Sequence, residues 1–227
     1  MRLLRRVFRA LACKMKSLSL VVFLAVLTAG SGFFGPDVPG IFRASQIVPN
    51  VIPVAPRRQL EVIYQNFNRV SLGQELTPTS VRNSPAVVKC VLCGISLRDF
   101  YTIVMINPDA PNPSNPTEAN FLHFLAVNVP GHRFSHALHV GETVAEYVGA
   151  GPAQSSGYHR YIYLLYRQPD GRTLFNEPRI PTTNASLRRN FALDAFVARY
   201  RLEIVAGNFF QAAYDASVDD WNAQFVD

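Results

Sequence analysis

The sequence has no general excess of positive charge, although its net charge is +6. Of the 22 basic residues, six lie within residues 1–31, where no acidic residue occurs, and the other 16 are balanced by 16 acidic residues. The basic character therefore belongs to the first 31 residues. A neutral remainder without a basic stripe lacks the electrostatic surface that DNA or RNA requires, so we predict no nucleic-acid partner.

Cysteine is also scarce. Cys13 lies in the basic leader, which leaves Cys90 and Cys93 as a C-x-x-C pair within VVKCVLCGI. Such a pair serves in redox exchange or as half of a zinc site, but no second pair completes a zinc site here. The segment has the composition of a strand, in which side chains three positions apart point to opposite faces. We therefore predict two free thiols, at least one of them in the core.

Motifs for covalent catalysis are missing. There is no G-x-S-x-G sequence and no recognisable ordered Ser-His-Asp set. Asp109, His123 and His159 have the composition of a metal triad or of a general acid–base set. Because no nucleophile motif or second carboxylate accompanies them, we predict a protein that is not an enzyme and that uses no cofactor and no metal.

The leader has the order of a secretory signal peptide. An Arg-rich stretch over residues 1–16 is followed by the apolar block SLSLVVFLAVLTA at 17–29 and by small residues. We predict a signal peptide over 1–31 and a secreted protein. A retained membrane anchor is the alternative, because residues 17–36 carry no charge and are about long enough to span a bilayer. A mitochondrial presequence fits less well, since this block is apolar on all sides rather than amphipathic.

The remaining chain reads as a proline-rich extended lead-in over 32–56 and one domain over 57–227. A weakly alternating strand is expected over 60–66. Strands that are apolar on both faces lie inside a sheet covered on both sides, and three runs have this character: 100–106, 121–129 and 160–168. Helical patterns appear at 187–200, with Asn184 or Ser186 as N-cap, and at 218–225.

Polar residues cluster where these strands begin or end. A period of two places Phe121, His123, Leu125 and Val127 on one face of their strand, and His159, Tyr161, Tyr163 and Leu165 on one face of theirs. Asp109 follows the end of another strand. Three strand ends bearing Asp and two His can converge on one concavity, where Gly149 and Gly151 would let the backbone approach an anion and the His and Tyr side chains would donate to it.

Four ordered motifs carry a resemblance to a known family. They are Asn107-Pro108-Asp109-Ala110-Pro111, His123-Phe124, Gly149-Ala150-Gly151-Pro152-Ala153 and Gly157-Tyr158-His159-Arg160-Tyr161. Together they resemble the phosphatidylethanolamine-binding protein family, which includes the Raf kinase inhibitor and plant flowering-time proteins. Weaker similarity extends from about residue 60 to the end of the chain.

The resemblance implies a mostly β fold with a large central antiparallel sheet, a smaller second sheet and a few peripheral helices. It also implies a monomer with a pocket for a small anion or a phospholipid head group such as phosphoethanolamine. Serine protease inhibition, or another role as a protein-interaction regulator, is the alternative. Carried over residue by residue, the pocket would be formed by Asn107, Asp109, Pro111, His123, Gly151, His159 and Tyr161.

Three positions depart from the family pattern. Asn107 replaces an aspartate, which should weaken contact with a cationic amine and remove repulsion toward a phosphate. Leu122 stands where many relatives carry a histidine, and it should face away from His123. Ala153 replaces a proline and should loosen its loop slightly. Outside the pocket, Asn184-Ala185-Ser186 is a sequon for N-glycosylation in a polar stretch that suits a surface loop.

Overall fold

The computed structural model describes residues 35–90, 92–136 and 140–225, and the fold is that of the compact unit Val38–Asp227. The predicted signal peptide lies outside the described residues. Within them the strands are β1 (Arg58–Gln59), β2 (Glu61–Ile63), β3 (Gln74–Glu75), β4 (Val87–Lys89), β5 (Phe100–Asn107), β6 (Phe121–Pro130), β7 (Glu142–Ala145), β8 (His159–Gln168) and β9 (Glu203–Ala212). The α-helices are α1 (Val38–Ala44), α2 (Leu193–Arg199) and α3 (Ser217–Asn222).

A seven-stranded sheet in the order β1-β9-β8-β5-β6-β7 forms the centre, and β3 also pairs with β9. The neighbours from β9 to β7 are antiparallel, as expected. The sheet is mixed at one edge, where the short strands β1 and β3 both run parallel to β9. The smaller second sheet is confirmed as the antiparallel pair β2-β4.

The three long apolar strands are buried on both faces, as predicted. Along β8, Tyr161, Tyr163 and Leu165 belong to the core on one face, together with Val62 and Val88 of the small sheet. Ile162 and Leu164 belong to the core on the other face. Helices α1 and α2 contribute to that second core through Val38, Phe42, Leu193 and Phe196. The central sheet is thus covered by the small sheet on one side and by helices on the other.

A β-bulge changes the faces of β6. Met105 pairs with Phe124 and Ile106 pairs with Leu122, so His123 is an extra residue opposite β5. Beyond it, Leu125 and Val127 lie in the helix-side core with Leu122. The prediction that they share a face with Phe121 and His123 is therefore wrong, because a strict period of two fails across a bulge. Leu122 does face away from His123, as expected.

The proline-rich lead-in is not extended throughout. Residues Val38–Ala44 form α1, which buries Val38 and Phe42, one helical turn apart. The ring of Phe42 meets Phe209 edge-on at 5.5 Å. A side chain at Gly207 would lie 2.9 Å from the Phe42 ring, so the glycine makes room for the helix. Since α1 packs on the central sheet, this part of 32–56 belongs to the domain.

The helix predicted over 187–200 is shorter than expected. A 3₁₀ turn covers Ser186–Arg188, and α2 begins only at Leu193. Between them Asn190 has φ of 53°, a left-handed conformation that a continuous helix does not allow. Asn184 still caps the first turn, because its Oδ1 accepts from the backbone N–H of Leu187 at 3.0 Å. The second predicted helix, over 218–225, is present as α3, which ends earlier than expected, at Asn222.

The prediction of two free thiols is wrong. Cys90 and Cys93 form a disulfide, with their Cα atoms 5.5 Å apart. Strand β4 ends at Lys89, before either cysteine. Leu92 lies in a turn and Cys93 in a bend, so the strand rule that separates side chains three positions apart does not apply to this pair.

Candidate functional site

A cavity of about 320 Å³ opens at one end of the central strands, where β5 ends and β6 and β8 begin. Because β5 is antiparallel to β6 and β8, the end of β5 lies beside the starts of the other two strands. Five of the predicted residues line the cavity, namely Asn107, Pro111, His123, Gly151 and His159. Five of the seven residues predicted from the sequence therefore lie in the wall of one cavity.

His123 is buried and uncharged. Its Nδ1 donates to the carbonyl oxygen of Val148 at 3.0 Å, and its own carbonyl accepts from the Val148 N–H at 2.9 Å. Burial lowers the pKa of His123 to about 3, and the Arg188 guanidinium acts in the same direction. The ring also meets Tyr161 edge-on at 5.0 Å. At neutral pH, His123 is therefore a fixed, neutral imidazole with its Nδ1 proton committed to the backbone.

His159 is held between two polar side chains. Its Nδ1 lies 3.1 Å from Asn107 Nδ2, and its Nε2 lies 2.9 Å from Ser156 Oγ. Burial lowers the pKa of His159, and the Asp109 carboxylate acts in the opposite direction. Both ring nitrogens are thus engaged by the protein. In this arrangement, a direct contact between a His159 ring nitrogen and an anion would have to displace one of these two side chains.

Asp109 does not line the cavity. Its carboxylate accepts from Nη2 and Nε of Arg160 at 2.6 and 2.9 Å and from the Arg160 backbone N–H at 2.7 Å. Arg160 also donates to the carbonyl of Ser45 at 2.8 Å. The predicted ligand-binding carboxylate is therefore a structural anchor that ties the loop after β5 to the start of β8.

Tyr161 lies behind the cavity wall. Its ring stacks on Phe210 at 5.0 Å between centroids. Its buried hydroxyl has no hydrogen-bond partner among the described residues. Burial raises the pKa of Tyr161; the backbone amide of Gly151, which acts in the opposite direction, lies near the hydroxyl but outside hydrogen-bonding geometry. Buried hydroxyls normally have a hydrogen-bond partner, so we expect this unsatisfied one to lower the stability of the fold.

Two charged residues that the sequence reasoning missed also line the cavity. Glu118 and Arg189 both line it, and they form an ion pair with 3.2 Å between Oε1 and Nε. Their side chains are 33% and 38% exposed, which leaves them accessible to a ligand. Nothing in the spacing of the motifs marks them, since each lies in a loop distant in sequence from the histidines. We call Glu118 and Arg189 the rim of the cavity.

Arg188 holds the segment that carries Arg189. It is fully buried and donates to the carbonyls of Leu122, Glu146 and Pro181 at 2.9, 2.9 and 2.8 Å. Burial lowers the pKa of Arg188 to about 10, so it remains a cation at neutral pH. The buried guanidinium therefore fixes this loop against β6 and places a second positive charge near His123.

Gly149 has a packing role. A side chain there would lie 2.9 Å from the Cα atom of Arg82, so the glycine permits two backbone segments to touch. Gly151, by contrast, does line the cavity. Asn222 and Phe225 also line the cavity, and the ring of Phe225 meets Phe121 with 6.3 Å between centroids.

Comparison with known proteins now decides the family. The sequence profile described as phosphatidylethanolamine-binding protein matches residues 95–210, which include β5, β6, β8 and the cavity residues they carry. The chain belongs to the phosphatidylethanolamine-binding protein family. Its mostly β fold, with a large central sheet and a small second one, is the fold of that family.

Relatives with curated names are more than 30% identical. A putative odorant-binding protein A5 of Drosophila melanogaster is 32% identical over 91% of this chain and 95% of its own length. A 26 kDa secreted antigen of Toxocara canis is 33% identical over 75% of this chain, and the match spans 62% of that antigen.

Solved structures show the same family fold. The solution structure of CG7054 has 36% identity and a TM-score of 0.63, and it covers 80% of this chain and 98% of its own. A carboxypeptidase Y inhibitor, crystallised with its cognate proteinase, has a TM-score of 0.65 at 22% identity over 80% of this chain and 97% of its own. At that identity the likeness concerns the fold alone.

The polar groups of this family member do not form a metal site in the part of the chain that the structure describes. No three His, Cys, Asp or Glu side chains there are grouped as ligands. The carboxylate of Asp109 is bound by Arg160 and does not line the cavity with the two histidines. Among the same residues, no helix has the length and apolarity to cross a membrane.

Proposed function

We propose that this protein is a secreted, non-catalytic binding protein whose cavity captures a small anion, such as phosphate or a phosphorylated head group. The observation that carries the proposal is the cavity itself. It combines a buried polar wall containing His123 with an accessible arginine at its rim, Arg189. Sites of this kind fix a ligand through a few placed polar groups in a mainly apolar hollow.

The charge of the anion would be met by arginine. His123 is neutral at physiological pH because its pKa is lowered to about 3. Arg189 offers a planar guanidinium that suits a phosphate or carboxylate, and its present partner, Glu118, is partly exposed. A ligand with both a phosphate and an ammonium group would suit this ion pair, since each charge of the ligand would find its opposite.

Two observations support the proposal of secretion, namely the names of two relatives and a disulfide. One relative is named a secreted antigen and another an odorant-binding protein. The Cys90–Cys93 disulfide is typical of proteins in oxidising compartments. We propose, with these, that residues 1–31 are a signal peptide and that Asn184, which is partly exposed in its loop, is glycosylated.

Isothermal titration of the purified protein with inorganic phosphate and with phosphoethanolamine tests the proposal. We expect saturable binding of one or both, and at least about tenfold weaker binding in Arg189→Gln, because one charge-assisted hydrogen bond is worth about 1.5–3 kcal/mol. Arg199→Gln is the matched control, since Arg199 pairs with Glu177 at 3.0 Å on the surface.

Absence of binding of both ligands would overturn the anion proposal. So would equal affinity in the Arg189→Gln and Arg199→Gln variants. An apolar odorant, suggested by the name of one relative, serves as a third ligand in the same titration. Protease inhibition remains the alternative function, and it is tested with a panel of serine proteases and carboxypeptidases.

A further inference from the structure

The side-chain amide of Asn107 has a fixed orientation. Asn107 is only 4% exposed, and its Oδ1 accepts from the backbone N–H of Asp109 at 2.8 Å. An N–H group can only donate, so the oxygen of the amide must face Asp109. The NH₂ group is therefore turned toward His159.

This orientation decides which nitrogen of His159 carries a proton. Asn107 Nδ2 lies 3.1 Å from His159 Nδ1, and because NH₂ only donates, Nδ1 must accept with its lone pair. The proton of the neutral ring then resides on Nε2, 2.9 Å from Ser156 Oγ. Ser156 in turn donates to the carbonyl of Ala153 at 2.7 Å. Each of these contacts then joins one donor to one acceptor, and their direction is set by the Asp109 N–H group.

We propose that Asn107 is a positioning residue that locks His159 in the neutral tautomer with the proton on Nε2. A doubly protonated ring would set an Nδ1–H group against the Asn107 NH₂ group, so the lock also opposes a positive charge on His159. Asp109 is the carboxylate that acts on the pKa of His159. It accepts two hydrogen bonds from the Arg160 side chain and does not replace Asn107 as the partner of His159 Nδ1.

The lock has a consequence for the ligand. His159 neither donates to an anion nor carries charge, so its role is to hold Ser156 and the Ala153 loop in place. An anion in this cavity must obtain its charge contact from Arg189. This consequence rests on the proposed function, whereas the tautomer itself does not.

Nitrogen-15 NMR of the histidine rings in the ligand-free protein tests the lock, with His159 assigned by the loss of its signals in His159→Gln. At pH 7 we expect Nδ1 to resonate as an unprotonated nitrogen and Nε2 as a protonated one. In Asn107→Asp the carboxylate can accept from Nδ1–H, so we expect Nδ1 to shift to the protonated range. Asn112→Asp is the matched control, because Asn112 Oδ1 makes the same kind of bond to Ser114 N–H at 2.8 Å on the surface.

A protonated Nδ1 on His159 in the unmodified protein at pH 7 would overturn the inference, and this result needs no variant to fold. An Asn107→Asp pattern identical to that of Asn112→Asp would overturn it as well. Because no ligand is present, a failure here leaves the anion proposal standing, and a protein that binds no anion can still show the lock.

Discussion

The floor and the rim of the cavity each contain a carboxylate–arginine pair, which is mostly buried in the floor and partly exposed at the rim. We define the floor as Asn107, His123 and His159 with the Asp109–Arg160 pair behind them. In the floor pair, the side chains of Arg160 and Asp109 are 23% and 6% exposed, and three hydrogen bonds join the two residues. In the rim pair, Glu118 and Arg189, about a third of each side chain is exposed.

The comparison separates architecture from binding. A carboxylate that satisfies a neighbouring guanidinium and a backbone N–H has little capacity left for a ligand. An ion pair in contact with water is worth little to stability and can be exchanged for a ligand at small cost. Changes in the floor should therefore act on stability and on proton placement, whereas changes at the rim should act on affinity.

The largest effect is expected from Asp109→Asn. Removing one partner of a buried pair leaves the other charge uncompensated, so we expect the free energy of unfolding to fall by about 3 kcal/mol. Urea unfolding measures it. Glu203→Gln, which breaks the exposed pair with Arg167 at 2.6 Å, is the control and should cost less than about 1 kcal/mol. Equal losses in the two variants would remove the distinction between floor and surface.

The second effect is the loss of folding stability at low pH that His123 causes. The folded-state pKa of His123, about 3, lies below the ordinary value of 6.5. As pH falls through 6.5 the unfolded chain gains a proton that the folded chain does not, so stability is lost between pH 6.5 and 3. From pH 7 to pH 5 this histidine should account for a loss of about 2 kcal/mol.

The variant His123→Gln tests this, because its amide can still donate to Val148. Its unfolding free energy should change less between pH 7 and pH 5 than that of the unmodified protein, by about 2 kcal/mol. Identical changes would mean that His123 is not held neutral by the floor.

The smallest effect is expected from Tyr161→Phe. An unsatisfied buried hydroxyl is costly, so its removal should raise the free energy of unfolding by about 1 kcal/mol in the ligand-free protein. In Tyr163→Phe, by contrast, the lost hydroxyl bonds Tyr64 at 2.7 Å, and we expect a decrease of similar size. A clear decrease in Tyr161→Phe would show that its hydroxyl already has a partner.

Much of the floor could be predicted from the sequence, because long apolar runs indicate buried strands and the floor residues lie where these strands begin or end. β9 was missed, since Gly207 and Asn208 at its centre resemble a turn. In the structure Gly207 makes room for Phe42, and buried Asn208 donates to the carbonyls of Leu60 and Val70 at 2.7 and 2.9 Å. Both residues are therefore explained by contacts with segments roughly 140–165 residues earlier in the chain.

The rim could not be predicted, for a related reason. Arg189 is placed by its neighbour Arg188, which donates to the carbonyls of Leu122, Glu146, Ile180 and Pro181 from separate segments. Likewise, the sequence placed Asp109 near the histidines but did not reveal that Arg160 would engage its carboxylate. Motif spacing identifies neighbours within a strand or loop, whereas the partner that a charged group selects depends on the tertiary structure.

A crystal structure of the protein with phosphoethanolamine would test the central claim most directly. The account predicts the phosphate group within hydrogen-bonding distance of Arg189, inside the cavity lined by His123 and Gly151, with the Asp109–Arg160 pair and the His159–Asn107 contact unchanged. A head group bound instead by the Asp109 carboxylate, or found outside this cavity, would contradict it.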